Sequence, residues 1–489
     1  MKRRVNGNIT VYMGVVTGLI LTLVFSLIEV THFRSLGQEK DILSQAATEG
    51  VMAQYNRPLW KDYRILAVDG GFGSSSFSEE AIGAEAMKYA QANSHNSLLS
   101  LQPTEVAIKN DTLLSDWDGA TFLKEASLAQ RYEVPVDLLD AGSALCGQME
   151  SDAAGEGNMS DVLTQAQNSL DEAESIKEET AEDTASGEMA QVEVPKEPPE
   201  NPILTMQEWK AKGVLAQVLS QDVTLSGATI SAERPSNRSL QQGRGEVVSI
   251  DASDRVLYGL YFQNHFQSFT NPMQHDGLAY EWEYIINGKT SDEENLKATV
   301  EKLLLLREVQ NFLAIQKIES CQLTAEATAM TLVGFTGNPA IIKGVKQGIL
   351  AAWAYMESVL DVRALLAGKK VPLLKTASNW TSDVTNIGAC LEIHNQAKED
   401  PKGISYEAYL LGFTYMTPVK EVGQHCLDVV EAGIRSTPGY ENVRIDHMVA
   451  RVTFDFSYEG YPTFASLIGA GHRIGTYHFQ KEWESSYYK

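Results

Sequence analysis

The four cysteines, Cys146, Cys321, Cys390 and Cys426, form no C-x-x-C pair. That excludes zinc ribbons, thioredoxin-like redox motifs and c-type haem attachment. Basic charge is also scarce: 40 Lys and Arg stand against 64 Asp and Glu, a net charge of −24. A chain this acidic lacks the clustered cations that phosphate binding needs, so no nucleic-acid partner is expected. Catalytic signatures are missing as well. There is no H-E-x-x-H, no G-x-S-x-G and no S-x-x-K set. No G-x-G-x-x-G lies between a strand and a helix, and no phosphate loop is present. The glycine-rich stretches Gly70-Gly71-Phe72-Gly73 and Gly469 to Gly475 read as turns or close backbone approach. These absences predict no cofactor, no metal and no enzymatic activity. Aromatic residues are absent from residues 148–202, which are rich in Glu, Asp, Ala and Ser and end in Pro195, Pro198, Pro199 and Pro202. Residues 149–200 alone carry a net charge of −13. So little apolar area cannot offset ordering entropy, and the stretch is predicted to be a disordered, self-repelling linker, with a helix conceivable near Val162–Ser175.

What is present begins at the N-terminus. Ile9 to Ile28 is an uncharged run of 20 residues preceded by Lys2, Arg3 and Arg4. At 1.5 Å per residue it reaches about 30 Å, the thickness of the hydrocarbon layer. The run exceeds a signal-peptide core and ends without an A-x-A site, so an uncleaved anchor in the lipid bilayer is expected. Positive-inside asymmetry predicts a cytoplasmic N-terminus and an extracytoplasmic bulk at the cell membrane. Beyond it Leu36, Leu43, Ala47, Val51 and Tyr55 recur near helical period. One helix from about residue 9 to 56 follows, half in lipid and half an amphipathic stalk, with Arg57-Pro58 ending it. The organisation read from this is a cytoplasmic N-terminus (1–8), a transmembrane helix (9–28), a stalk (29–57), an extracytoplasmic domain in two segments (58–147 and 203–489) and the acidic linker (148–202).

The 43% hydrophobic fraction is enough for a core outside that linker. Helices are expected near Glu79–Asn93, Gly119–Tyr132, Val256–Phe266, Asp292–Lys317, Pro339–Leu366, Tyr406–Met416 and Val419–Arg435. Strands are expected at Arg64–Val68, Val223–Ser231, Val371–Lys375 and Leu278–Ile286. The last alternates Leu278, Tyr280, Trp282, Tyr284 and Ile286 on one face. A half-buried antiparallel strand is expected where Val452, Phe454, Phe456 and Tyr458 alternate with polar residues. The elements lack regular βαβ spacing, which makes the fold class α+β.

Four arrangements could carry function. Glu281 and Glu283, about 7 Å apart on one strand face, have the separation of an inverting glycosidase pair, or Glu281 pairs with Arg307. Cys390 and His394 with His425-Cys426 could hold zinc, although free buried thiols or a Cys390–Cys426 disulfide suit the spacing better. Gly14 and Gly18 form G-x-x-x-G, which permits close helix approach in lipid. Glu29 is a carboxylate at the membrane boundary, a pairing group or the solvated first residue after the span.

Two sets of residues resemble known families. Gly7, the apolar run and Ile28-Glu29-Val30-Thr31-His32-Phe33-Arg34 resemble TadE/TadG-like minor pseudopilins of tight-adherence (Flp, type IVc) pili. More of the chain is similar to a bacterial membrane-anchored family, domain-of-unknown-function family 5702. The similar stretches are Gln54 to Trp60 with Tyr63, Tyr280 to Lys289, Leu305 to Asn311, Ala352 to Ser358, Asp361 to Lys369, and Arg444-Ile445-Asp446. The pseudopilin resemblance implies processing at Gly7, a pilus role, and partners among other pilin or pilus-platform membrane helices, with Glu29 pairing a neighbouring positive group. One position departs from it. Five residues into a chain cut at Gly7 stands Tyr12, where pseudopilins have Glu. The reading that follows is a non-enzymatic single-pass envelope protein of a tight-adherence pilus. The alternatives are a cell-wall glycoside hydrolase using Glu281 and Glu283, or an extracytoplasmic ligand-binding protein.

Overall fold

The computed structural model describes residues 8–73, 76–95, 99, 101–184, 201–273, 277–386, 390, 392–463 and 475–487. Gly7, the basic residues before it and residues 469–474 of the second glycine-rich stretch lie outside these. The chain does not divide at the acidic stretch. It forms two compact units from interleaved segments. Unit 1 comprises residues 1–125, 237–249 and 434–489; unit 2 comprises 126–236 and 250–433.

Unit 1 starts with helix α1, Asn8–Met52. Its apolar first part has no buried residue in its most hydrophobic window. Its second part buries Leu36, Leu43, Ala47 and Val51 of the stripe that the periodicity predicts, whereas Tyr55 lies past the helix end and is exposed. The helix stops four residues before the expected end. Asn56 then caps a separate helix α2, Arg57–Tyr63, its side chain accepting from Leu59 N–H at 3.0 Å. Pro58 therefore opens a helix rather than closing one, since its missing N–H costs nothing in the first turn. Strand β1, Val68–Asp69, is all that forms of the strand expected over Arg64–Val68. Helix α3, Glu79–His95, and strand β2, Gln102–Leu113, follow. The expected alternation near the C-terminus becomes strand β3, Met448–Gly460, with Val452, Phe454, Phe456 and Tyr458 buried. Strand β4, Tyr477–Ser486, completes the sheet. β3 is central, with β2 on one side and β1 and β4 on the other, all antiparallel. The core lies between the stalk part of α1, Ile82, Ala86 and Ala90 of α3, and the inner face of the sheet.

Residues 237–249 belong to unit 1 because they strap across β2. Asp116 accepts from Gly243 N–H at 2.8 Å, and Arg244 pairs with Asp111 at 3.1 Å. A Cβ on Gly243 would sit 2.7 Å from the Asp111 carbonyl oxygen, so this close approach requires glycine.

Helix α4, Ala120–Arg131, carries the chain from one unit into the other. Unit 2 is helical: α5 (Val136–Ala153), α6 (Glu156–Thr184), α7 (Pro202–Ala211), α8 (Val214–Val218), α9 (Ala252–His265), α10 (Glu281–Asn287), α11 (Asp292–Ile315), α12 (Glu319–Val333), α13 (Pro339–Leu366), α14 (Tyr406–Met416) and α15 (Val419–Arg435). α13 is the axis, with every residue from Gly348 to Leu366 buried. α6, α7, α8, α11 and α12 pack around it. The α+β class is as expected, with helices predominating and antiparallel pairing in unit 1.

Four local expectations change. Residues 148–153 and 156–178 of the stretch expected to be disordered are helical, in α5 and α6, and α6 includes the helix conceived near Val162–Ser175. Met159, Ala166 and Ala173 recur every seven residues and are buried, giving α6 a seam against α13 that its acidic composition hides. Residues 185–200 lie outside the described set. The alternating Leu278–Ile286 segment is not a strand but leads into α10. All of Glu281–Ile286 is buried, so no 3.6-residue pattern survives to be read. Gly288 closes α10 at φ 63°, its N–H returning to the Tyr284 carbonyl. Val223–Ser231 and Val371–Lys375 form no named strand, each contributing one isolated bridge, Thr229 to Ser291 and Val371 to Ile404.

Candidate functional site

The chain offers three places to look, and each is built by different elements. In unit 1, the end of the apolar run meets the sheet. Glu29 lies one residue past Ile28 on α1. Its carboxylate accepts from Thr463 N–H at 3.1 Å and from the Tyr477 hydroxyl at 2.9 Å. One turn on, His32 Nε2 lies 3.0 Å from the Tyr461 carbonyl oxygen. Phe33 packs its ring on Tyr477 and Phe479, with centroids 5.0 and 5.2 Å apart. Burial and the adjacent carboxylate both raise the Tyr477 hydroxyl above its usual range, which keeps it protonated as a donor. Glu29 is thus hydrogen-bonded within its own chain. Thr463 and Tyr477 were not foreseen. The alternation Tyr477, Phe479, Lys481, Trp483 was the available signal. Gly14 and Gly18 have open space beside them: a methyl group added at either would meet nothing within 4 Å.

In unit 2, stretches flagged by the family resemblance converge on a buried charge network. Arg307 of α11 is fully buried. It donates to Asp361 of α13 through Nη2 at 2.6 Å and Nε at 3.1 Å. It also donates to Gln310, to the Tyr409 hydroxyl and to the carbonyls of Pro372 and Leu373. Asn311 joins Asp361 at 2.8 Å and Ser358 at 2.9 Å. Lys375 lies 2.6 Å from the other Asp361 oxygen and contacts Glu357. Glu357 in turn accepts from Ser382 N–H at 2.7 Å and Thr381 N–H at 3.0 Å. Two cations and two carboxylates balance, as buried charge must. Burial alone would raise the Asp361 carboxyl, but the Arg307 guanidinium and Lys375 ammonium hold it below the usual carboxylate range. Arg307 takes Asp361, not Glu281, as its partner. The signal was a set of charges inside two long apolar helices.

Glu281 and Glu283 sit on the short helix α10, 1% and 0% exposed. Glu281 accepts from Gln267 N–H, Glu283 from Phe269 N–H and the Tyr406 hydroxyl, each at 2.9 Å. Burial raises the Glu283 carboxyl to about 7, against the pull of those donors. The pair satisfies the backbone N–H groups of Gln267 and Phe269. Near α10 an apolar cavity of about 330 Å³ is lined by Ile286, Leu305, Leu306, Val309, Phe413 and Met416, with Lys302 and Glu421 also on its wall.

All four cysteines are free thiols, so the Cys390–Cys426 disulfide does not form. Burial pushes the Cys146 thiol up to about 12 and that of Cys426 well above its ordinary value, leaving both inert. His425 Nδ1 is held 2.9 Å from the Ile285 carbonyl oxygen. No group of three or more His, Cys, Asp or Glu among the described residues is placed to hold a metal ion. Gly70 to Gly73 form a turn closed by Asp69, which accepts from Gly71 N–H at 2.9 Å and Gly73 N–H at 3.0 Å.

A family model described as a family of unknown function (DUF5702) matches residues 192–460, more than half of the chain. No curated protein and no solved structure matches.

Proposed function

The chain belongs to that family of unknown function, and from this premise we propose that it is a non-enzymatic, single-pass envelope protein, a pseudopilin-like assembly or anchoring component of a tight-adherence pilus. One observation carries the reading. α1 is a single helix whose most hydrophobic window has no buried residue, while its second part is core. A helix with that exposure needs an apolar solvent, and its length suits a bilayer. The basic residues Lys2, Arg3 and Arg4 favour a cytoplasmic N-terminus, with units 1 and 2 outside. Gly14 and Gly18 leave a flat face on which another pilin or platform helix can pack closely. The pilus assignment draws on the N-terminal resemblance from Ile28 to Arg34.

The test is an epitope inserted at Ser186, in the acidic stretch where insertion is tolerated. Surface fibres are sheared from cells, and fibre and membrane fractions are blotted. Epitope in the fibres establishes a minor pilin that leaves the membrane and makes Gly7 its processing site. Epitope confined to membranes, with fibres lost when the gene is deleted, establishes a fixed assembly factor. Fibres unchanged by deletion would remove the pilus role.

A further inference from the structure

The stalk part of α1 is not a spacer. β4 runs beside it along its whole length. The Tyr477 hydroxyl meets Glu29, Gln480 carbonyl oxygen accepts from Lys40 at 3.2 Å, Lys481 pairs with Asp41 at 3.2 Å, and the Tyr487 hydroxyl reaches the Met52 carbonyl. The two elements match in length. Residues 29–52 of a helix rise about 35 Å, and residues 477–487 of a strand span about 33 Å. Unit 1 therefore extends up α1 to the first turn after the apolar run.

That fixes its distance from lipid. The run Ile9–Ile28 has the length of the hydrocarbon layer, so Ile28 marks its edge. The headgroup layer beyond is about 5–8 Å thick. Glu29 lies about 1.5 Å and His32 about 6 Å past Ile28 along the helix axis, and tilt only shortens these distances. Groups within hydrogen-bond reach of Glu29 and His32 share that depth. They are Tyr461, Thr463 and Tyr477, at the β3 and β4 ends. The composition suits the place: aromatic rings at 33, 461 and 477 belong at a membrane interface. Arg34 is exposed, and helical side chains lean toward the N-terminus, here toward the bilayer.

We propose that unit 1 is seated directly on the bilayer, with the strand ends at Tyr461–Thr463 and Thr476–Tyr477 immersed in the headgroup layer and Arg34 reaching the lipid phosphates. Its partner there is a lipid surface. The Glu29 carboxylate is the latch, satisfied by its own chain so that it crosses the interface without a neighbour. The proposal rests on the anchoring reading above.

The experiment places a nitroxide on Thr476→Cys in the full chain, with Cys390→Ser to remove the half-buried thiol. The protein is reconstituted in vesicles of phosphatidylethanolamine and phosphatidylglycerol. Collisional relaxation by an aqueous nickel chelate is compared with that by oxygen. Leu19→Cys serves as the hydrocarbon reference and Glu441→Cys, on the exposed surface of unit 1, as the aqueous one. The expected result is a loss of nickel access at 476 relative to 441, at a depth between the two references. A 476 label as open to nickel as 441, with 19 in hydrocarbon, overturns the seating and leaves the anchor standing. A label at 19 open to nickel overturns the anchor and the seating together.

Discussion

α1 and α13 both carry long apolar stretches, yet they end in opposite surroundings. Leu19 of α1 is 66% exposed, whereas Asp361 of α13 is 0% exposed. The difference lies in the charges. The run Ile9–Ile28 has none. α13 carries Glu357, Asp361 and Arg363 within its buried stretch, and each finds a partner: Lys375, Arg307, and the Gln217 carbonyl oxygen at 2.9 Å. A protein core can supply a counter-charge at a chosen point, but lipid cannot. Charge inside an apolar helix therefore marks it for the core, and its absence over 20 residues leaves a helix long and apolar enough to cross a membrane.

Removing one partner from the α11–α13 network is the strongest way to break this contrast. Arg307→Met leaves Asp361 buried against a surplus of one negative charge and is expected to cost about 3–5 kcal/mol. Urea unfolding in detergent measures it, and a loss below about 1 kcal/mol would mean the network is no more than a surface-grade pair. The converse change puts a charge where none has a partner. Leu19→Arg should weaken membrane insertion by about 2.5–3.5 kcal/mol, while Leu19→Ala leaves the protein in carbonate-washed membranes. Equal retention of both variants would argue against a spanning helix. The smallest effect sharpens the rule inside unit 1. Asp446 is held by Arg238 at 2.9 Å and Arg444 at 2.8 Å. Burial pushes its carboxyl up, but these partners and Gln241 N–H bring it down to about 2 from 3.8. The folded value is the lower one, so the stabilisation is present above pH 3.8 and is lost as pH falls through about 2. Asp446→Asn should remove about 2 kcal/mol at neutral pH and almost nothing at the acid end of that window. Denaturant midpoints of both proteins across the range give the answer, and parallel curves would show that Asp446 gains nothing from its partners.

Much of the helical framework was legible. α11, α13, α14 and α15 begin where the sequence places them, because capping residues and amphipathic stripes are local signals. Ser291 caps α11 and Asn338 caps α13 through their own side chains. β3 was legible from strict alternation. β2 was not, since three irregularities in its pairing with β3 break the period of two. α10 misled because it is buried on every side, leaving an accidental alternation as the visible pattern. Glu281 and Glu283 were noticed as a pair, but their partners lie on residues 267, 269 and 406, which no spacing rule connects.

The sequence by itself determined the long apolar N-terminal run, the stalk stripe and the long helices of unit 2. Those depend on composition and periodicity within one segment, and the free energy of moving that segment into lipid or against a core is set locally. Tertiary structure alone decided which charges meet. Arg307 and Asp361 stand 54 positions apart, and Glu29 and Tyr477 stand 448 apart. A buried charge requires an opposite charge or an oriented donor, but the chain names neither until its backbone brings one within hydrogen-bond reach.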